Sequence, residues 1–293
     1  MPRAGAEPGA ARPAPARPVL PVLREPPELS LWLLRAPLPG SAAAARLAVG
    51  ELDAAEVRRA ELFVRPVDRV QYLSAHIALR RILAAATGFP PERLLLGPES
   101  GPPRQPRTGR PVLRHPPLPV HFSLSHSHGL ILIGTAASAV GVDVQRTPTF
   151  EAVQVCGPAL HPAEWRELLA VPEEFRPASF ARLWTRKEAY LKGLGTGLGR
   201  RPALDYLGAG TDADAPSGPP GWIVRDVQVG PHHAAAAALA VTAEPFITLR
   251  TLPVACLYDG AAGLPLSAAP LLALRRRGSW MLRWSLLERD PPG

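Results

Sequence analysis

The sequence predicts an α+β protein built from two units of similar size, and three observations predict it. Short apolar runs with the two-residue period of strands recur in both halves of the chain. Longer stretches with helical spacing lie between them. In each half the order is roughly strand or loop, then helices, then antiparallel strands, which favours segregated layers over a regular βαβ alternation. The 293 residues, 46% of them hydrophobic, suffice for one large core or two modest ones.

Residues 1–27, rich in Pro, Ala and Arg, lack the sustained apolar core of a secretory signal and read as a disordered leader. "ELSLWLL", residues 28–34, reads as the first strand. Asp53 is placed to cap a helix carrying Val57 and Leu62 with Arg58 and Arg59. "VDRVQYLSAHIALRRILAAATG" fits a second helix, with Val70, Leu73 and Ile77 on one stripe and Gly88 as its C-cap. "GPESGPPRQPRTGRPVLRHPPLP" has the density of Pro and Gly expected of an irregular loop. "VHFSLS" alternates as a strand, "HSHG" turns, and "LILIGTA" returns as a buried strand.

The first half therefore spans 28–140 and the second 141–260. The second opens with a loop and the short helix "HPAEWRELLA". A stronger helix follows in "SFARLWTRKEAYLKGLGTG", with Ser179 as N-cap and Gly193 and Gly195 as its stop. "GWIVRDVQV", "AAAALAV" and "FITLRTLP" read as three strands. Residues 261–293 read as a basic peripheral tail, or alternatively as an amphipathic helix touching a membrane or partner.

Composition excludes several classes. No uninterrupted apolar run reaches the roughly 18 to 20 residues of a spanning helix. The two cysteines, Cys156 and Cys256, lack CxxC spacing, so neither a disulfide scaffold nor a structural zinc site is expected, and a cytoplasmic compartment is. The formal net charge of +8 suits a polyanion, a phosphorylated cofactor or an acidic protein partner, although an Arg-rich compositional bias produces the same balance. A nucleic-acid binder needs a recognition helix or interleaved aromatics, and at 6% aromatic content no such layout appears.

Two segments carry chemistry. In "GVDVQ" Val140, Val142 and Val144 alternate, which puts Asp143 and Gln145 together on the other face of the strand. Two side-chain oxygens there suit a hard cation, a proton relay or simply an exposed face. On the strong helix Phe180, Leu183, Trp184, Leu191 and Leu194 form the apolar arc, with Glu188 and Lys192 four apart at its edge. Lys187 projects near the middle of that arc, where an unpaired ammonium is costly. Either its stem snorkels out of the core or its head reaches an anionic ligand.

"VGVDVQRTP" followed by "FARLWTRKEAYLKGLGTGL" resembles the paired signature of Sfp-type 4′-phosphopantetheinyl transferases, a G-[IV]-D-[IV]-E strand and a W-x-x-K-E-A-x-x-K helix. "TGRPVL" is similar to that family's G-[KR]-P loop and "HFSLSHSHG" to its F-N-[IL]-S-H-S turn, all in family order over roughly residues 28–258. The resemblance implies a monomer of two pseudo-symmetric halves with coenzyme A in the cleft between them. It also implies magnesium-dependent transfer of phosphopantetheine to a serine of an acyl, peptidyl or aryl carrier protein, releasing adenosine 3′,5′-bisphosphate. Asp143 and Glu188 match the family's metal ligands. Gln145 stands where Glu is usual and brings an oxygen without a charge, so weaker metal binding is expected.

By the same resemblance Glu188 is the general base, directly or through an intervening water, and Lys192 balances diphosphate charge and protonates the leaving phosphate. His126 matches the residue that contacts the 3′-phosphate of coenzyme A, and Ser125, beside it, is a further candidate for coenzyme A binding. Arg110 and Pro111 match the loop near the adenine, and Arg59, with Arg65 as a looser match, a basic residue aimed at the same phosphate. The family often has arginine where this chain has Gln71, a loss for which Arg58, Arg65 or Arg69 is placed to compensate. The carrier is expected to present an acidic serine-bearing helix; nucleic acid and membrane are not expected partners. Two rivals keep part of the pattern: a coenzyme-A-binding interaction protein whose metal site Gln145 has weakened, and a metal-dependent nucleotide hydrolase, which leaves the SHS and GRP motifs unexplained.

Overall fold

The computed structural model describes residues 26–99, 110–208 and 218–261, with the short stretches 274–276 and 279–281. The predicted leader and most of the predicted tail therefore lie outside the described residues. The chain is α+β. Its strands are β1 (Glu28–Arg35), β2 (Leu95–Pro98), β3 (Pro111–His115), β4 (His121–Ser127), β5 (Leu130–Ala136), β6 (Val140–Arg146), β7 (Ile223–Asp226), β8 (His233–Leu239) and β9 (Phe246–Thr251). Two further strands, β10 (Leu274–Arg276) and β11 (Ser279–Met281), pair with each other. The helices are α1 (Ala42–Ala45), α2 (Ala54–Glu61), α3 (Pro66–Thr87), α4 (Phe150–Cys156), α5 (Pro162–Ala170) and α6 (Arg176–Leu194).

Four layers result. One sheet runs in the order β4-β5-β1-β9 and the other in the order β6-β8-β7. Period-two alternation gives each sheet one face for its partner sheet and one for a helix. Leu29, Leu31 and Leu33 of β1 meet Val140, Val142 and Val144 of β6 and Ala235 and Ala237 of β8 between the sheets. The opposite face of β1, with Trp32 and Leu34, packs under Ile77, Leu79 and Leu83 of α3. The opposite face of β8, with Ala236 and Ala238, packs under Ala189, Tyr190 and Leu191 of α6.

The boundary expected at 140/141 needs a correction. β9 leaves the second unit and lies parallel to β1, Leu31 opposite Leu249, so the last strand of the predicted C-terminal half completes the first sheet. Hydropathy within β9 says that it is a strand and nothing about which sheet it joins.

The join between the sheets is made by hydroxyls. β4 and β6 are edge strands of different sheets, and an edge exposes unpaired backbone N–H groups. Ser123, Ser125 and Ser127 of β4 accept the N–H groups of Val142, Val144 and Arg146 of β6 at 3.0, 3.3 and 3.1 Å. Three serines at alternate positions thus satisfy one edge of β6.

Asp53 accepts from the N–H groups of Ala55 and Glu56 in a capping box, and Gly88 closes α3 in the left-handed region at φ 75°. Ser179 is not a cap: α6 starts at Arg176, because Pro177 is tolerated in a first turn where its missing N–H is unneeded. Gly195, at φ 77°, ends α6, whereas Gly193 lies inside it. β4 continues to Ser127, so the turn predicted over "HSHG" shrinks to His128 and Gly129, both at positive φ as a two-residue hairpin requires. The predicted loop before β4 holds the β2–β3 hairpin, and the loop after β6 holds α4.

Candidate active site

The site forms where α6 crosses β6. Close approach there depends on Gly141: a Cβ on it would lie 1.9 Å from the Ala189 carbonyl oxygen and 2.4 Å from the Gly193 nitrogen. With backbone against backbone, Asp143, two residues along the same face of β6, comes under the C-terminal half of α6. Asp143 has no exposed surface, so the exposed-face reading of "GVDVQ" is excluded for this residue.

Asp143 Oδ1 accepts from Ser125 Oγ at 2.7 Å and from Lys192 Nζ at 2.6 Å. Lys192 therefore reaches to the strand for its ion pair, rather than to Glu188 one turn back on its own helix. Asp143 Oδ2 is buried without a hydrogen-bond partner among the described residues. Glu188 is half-buried, and its carboxyl is pushed above the ordinary range, first by burial and then by the Asp143 charge, with Lys192 pulling the other way. The Asp143 charge thus acts on a carboxyl 45 positions further along the chain. Gln145 shares the face of Asp143 by alternation and is half-buried. Among the described residues no group of three His, Cys, Asp or Glu side chains forms, since the third position here is that amide.

An orphaned carboxylate oxygen beside a second carboxylate is a poor arrangement by itself and a good one around a hard divalent cation, which takes oxygen ligands. Asp143, Glu188 and Gln145 have the donor chemistry to hold one.

The other predicted residues fall in different settings. Arg110, at the start of β3, donates to the Gly193 carbonyl at 3.0 Å and pairs with Glu99 at 3.2 Å, joining the β2–β3 hairpin to the end of α6. Pro111 follows it on an exposed position. His126 faces away from Ser125 along β4, and its pKa is lowered by burial, then by His76 and Lys192. Arg59 is exposed, its guanidinium 5.5 Å over the Phe63 ring. Arg65 is exposed at the start of α3 and forks onto Asp68 at 2.8 and 2.9 Å, an ordinary surface pair. Gln71 is buried and accepts the Gly129 N–H at 2.8 Å, which ties α3 to the β4–β5 turn. His128 is exposed.

Neither reading of Lys187 holds. It is 1% exposed and pairs inside the protein with Glu164 of α5 at 2.7 Å, also donating to the Asp205 carbonyl. Its partner lies 23 positions upstream, out of reach of helical spacing. Sequence reasoning also missed the cluster around Glu56, which accepts from His76 at 2.8 Å and Arg80 at 2.7 Å. A histidine four residues before a buried arginine on α3 was its only signal. A cleft of about 790 Å³ opens at the opposite edge of the sandwich, between β7 and β9, and none of the predicted site residues lines it.

This geometry, a strand carboxylate met by a glutamate and a lysine from one helix, falls within residues 139–218, which match the family model of the 4′-phosphopantetheinyl transferase superfamily. Over those residues the chain is similar to that superfamily of enzymes. It is 28% identical over 217 residues to the 4′-phosphopantetheinyl transferase HetI of a Nostoc species, a match covering 73% of this chain and 88% of that protein. It is 28% identical over 139 residues to the 4′-phosphopantetheinyl transferase psf-1 of Bacillus pumilus, covering 47% of this chain and 56% of that one. With the 4′-phosphopantetheinyl transferase Sfp of Bacillus subtilis it shares 29% identity over 91 residues, 31% and 39% of the two chains.

Proposed function

We propose that the protein moves the 4′-phosphopantetheine arm of coenzyme A onto a serine hydroxyl of an acyl, peptidyl or aryl carrier protein, with magnesium, leaving adenosine 3′,5′-bisphosphate. The observation that supports this most directly is the buried Asp143 Oδ2, without a hydrogen-bond partner among the described residues, in a carboxylate whose charge acts on Glu188. A magnesium ion held by Asp143, Glu188 and the Gln145 oxygen would offset the charge that gathers on diphosphate oxygens during displacement at phosphorus.

The chain's own residues have separable tasks in this reading. Ser125 and Lys192 fix Asp143 by their bonds to Oδ1. Glu188, with its affinity for a proton increased, is suited to receive the serine proton. Lys192, a third exposed, keeps its ammonium available for a diphosphate oxygen and for protonating the leaving phosphate. Arg110 and His126 flank the same region and face the nucleotide end of the donor. The acidic serine-bearing helix of a carrier suits the +8 balance, and a monomer acting in the cytoplasm is the expected form.

The test is intact-mass spectrometry of several apo carriers incubated with coenzyme A and magnesium. A phosphopantetheine increment is expected on at least one carrier, and its loss with Glu188→Ala. Coenzyme A binding with no increment on acyl, peptidyl or aryl carriers alike would instead favour an interaction protein with a weakened metal site.

A further inference from the structure

The two sheets are closed at one edge and open at the other. At the closed edge the serines of β4 bond the backbone of β6. At the other edge β7 and β9 are the outermost strands of their sheets, and the cleft of about 790 Å³ lies between them. Side-chain size accounts for the opening. β8 turns Ala235 and Ala237 toward the facing sheet, and an alanine is too short to fill its share of a sheet spacing of about 10 Å. The floor is Leu31, Val227, Val229, Ala235 and Ile247. Sheet faces offer side chains rather than backbone donors, so the body of a fitting occupant is apolar. Volume and lining fall within the range of small-molecule sites.

Arg225 breaks the apolar pattern. Val224 packs under α6 with Ala238, its partner in register, so alternation turns Arg225, opposite Ala237, toward the other sheet. Inward positions of a sandwich ordinarily carry apolar residues. The guanidinium forks onto Glu244, just before β9, with Nε donating to Oε1 at 3.0 Å and Nη2 to Oε2 at 2.5 Å. The two side chains are 35 and 36% exposed, so the pair that bridges the open edge is a weak one. Arg182 and Arg186 of α6 stand along the same rim and share Asp226, at 2.6 and 3.4 Å. Among the described residues the lining thus has three guanidiniums against two carboxylates.

We propose that this cleft binds a free, unbranched alkyl carboxylate, a fatty acid. The chain lies between the sheets against Val227, Val229 and Ile247, and the carboxylate takes the Arg225 fork in place of Glu244. A guanidinium fork matches any carboxylate in the same two-bond geometry, so the exchange is like for like. The excess of positive charge on the rim selects an anionic head over a neutral or cationic one. The assignment does not rest on the transfer reaction, none of whose residues lines the cleft.

The test is calorimetric titration of the full chain with octanoate, decanoate and dodecanoate, each below its micelle concentration, with decanol as the uncharged control. Every two added methylenes are expected to tighten binding roughly fifteenfold until the chain outgrows the cleft. An affinity indifferent to chain length overturns the proposal. Arg225→Gln is expected to weaken decanoate roughly tenfold and to leave decanol unchanged. Glu244→Gln removes the competing carboxylate and is expected to tighten decanoate severalfold. Equal loss of both ligands in Arg225→Gln, or weaker decanoate binding in Glu244→Gln, overturns the proposal. Methyl NMR spectra of the parent locate the chain: decanoate should shift Val227, Val229 and Ile247, and shifts confined to other methyl groups overturn the proposal even where affinity follows chain length. These measurements involve no carrier protein, so failure here leaves the transfer reading standing, and failure of transfer leaves this one.

Discussion

Lys192 Nζ lies 2.6 Å from Asp143 Oδ1, so the last turn of α6 is pinned to the middle of β6 by an ion pair whose acidic member has no exposed surface. The pairing inverts what helical spacing suggests. Glu188 stands one turn before Lys192, yet Lys192 bonds across the layer boundary to the strand. Three constraints converge on Asp143: the Gly141 contact that admits α6, the Ser125 hydroxyl from the other sheet, and the Lys192 ammonium. The site is therefore a by-product of how the two sheets and α6 are joined, and its chemistry is coupled to stability at that joint.

Gly141→Ala tests the joint. A methyl group 1.9 Å from a backbone oxygen has no flexible side chain to push aside, so α6 has to lift from β6. The expected cost is about 3 kcal/mol, at the upper end for overpacking, because both neighbours are backbone. Chemical denaturation measures it, and the folded fraction should also lose transfer because Asp143 and Glu188 move apart. An alanine variant with the parent's midpoint would show that the approach is not constrained.

Lys187→Met separates the structural letters of the helix signature from the chemical ones. It leaves Glu164, which has no exposed surface, without its ammonium partner. Breaking one side of a buried pair costs about 3–5 kcal/mol. Near full transfer per folded molecule is expected alongside that loss. A stable but inactive Lys187→Met would place the ammonium on the donor instead.

The signature was legible as a pattern, and its letters turn out to have different causes. Trp184 stacks on Phe180 at 5.6 Å in the cluster beneath α4 and α5, Lys187 meets Glu164, and Ala189 is the small residue against Gly141. Only Glu188 and Lys192 turn to the site. Strand faces were readable because alternation is local, which is how "GVDVQ" placed Asp143 opposite three valines. Long-range choices were not readable: β9 beside β1, the serines of β4 on the edge of β6, Lys187 on α5. The β2–β3 hairpin was hidden by prolines at Pro98 and Pro111, which fit a strand at its ends.

Glu56 gives a pH-dependent prediction. Burial alone would raise its pKa, but the hydrogen bonds from His76 and the Asp53 N–H, with the Arg80 charge, outweigh that and hold it below the usual range. A depressed carboxylate pKa contributes stability that is present above the unfolded value and lost as pH falls through the folded one. Glu56→Gln should therefore be less stable than the parent at neutral pH, by about 3 kcal/mol because Arg80 is fully buried. The gap should narrow once the pH drops below the ordinary carboxylate range. Urea titrations at several pH values read it, and a gap constant down to strongly acidic pH would contradict the assignment.

Gln145 is the position where charge can be added to the site without disturbing its frame. It is half-buried, pairs in register with Ala234 of β8, and lies on the Asp143 face, so an isosteric carboxylate fits the same space. Gln145→Glu supplies a third acidic oxygen set to a site that has two carboxylates and one amide. Under the proposed metal role the magnesium concentration for half-maximal transfer should fall several-fold. At ε near 20 one added unit charge at contact distance is worth a few kcal/mol before desolvation removes part of it. Gln145→Ala should raise the requirement instead, since both the amide oxygen and its reach are lost. The two variants together make the test sharp: a magnesium requirement unmoved by the glutamate and unmoved by the alanine would mean that the amide faces no ion, and that Asp143 and Glu188 bind it without help from this strand position.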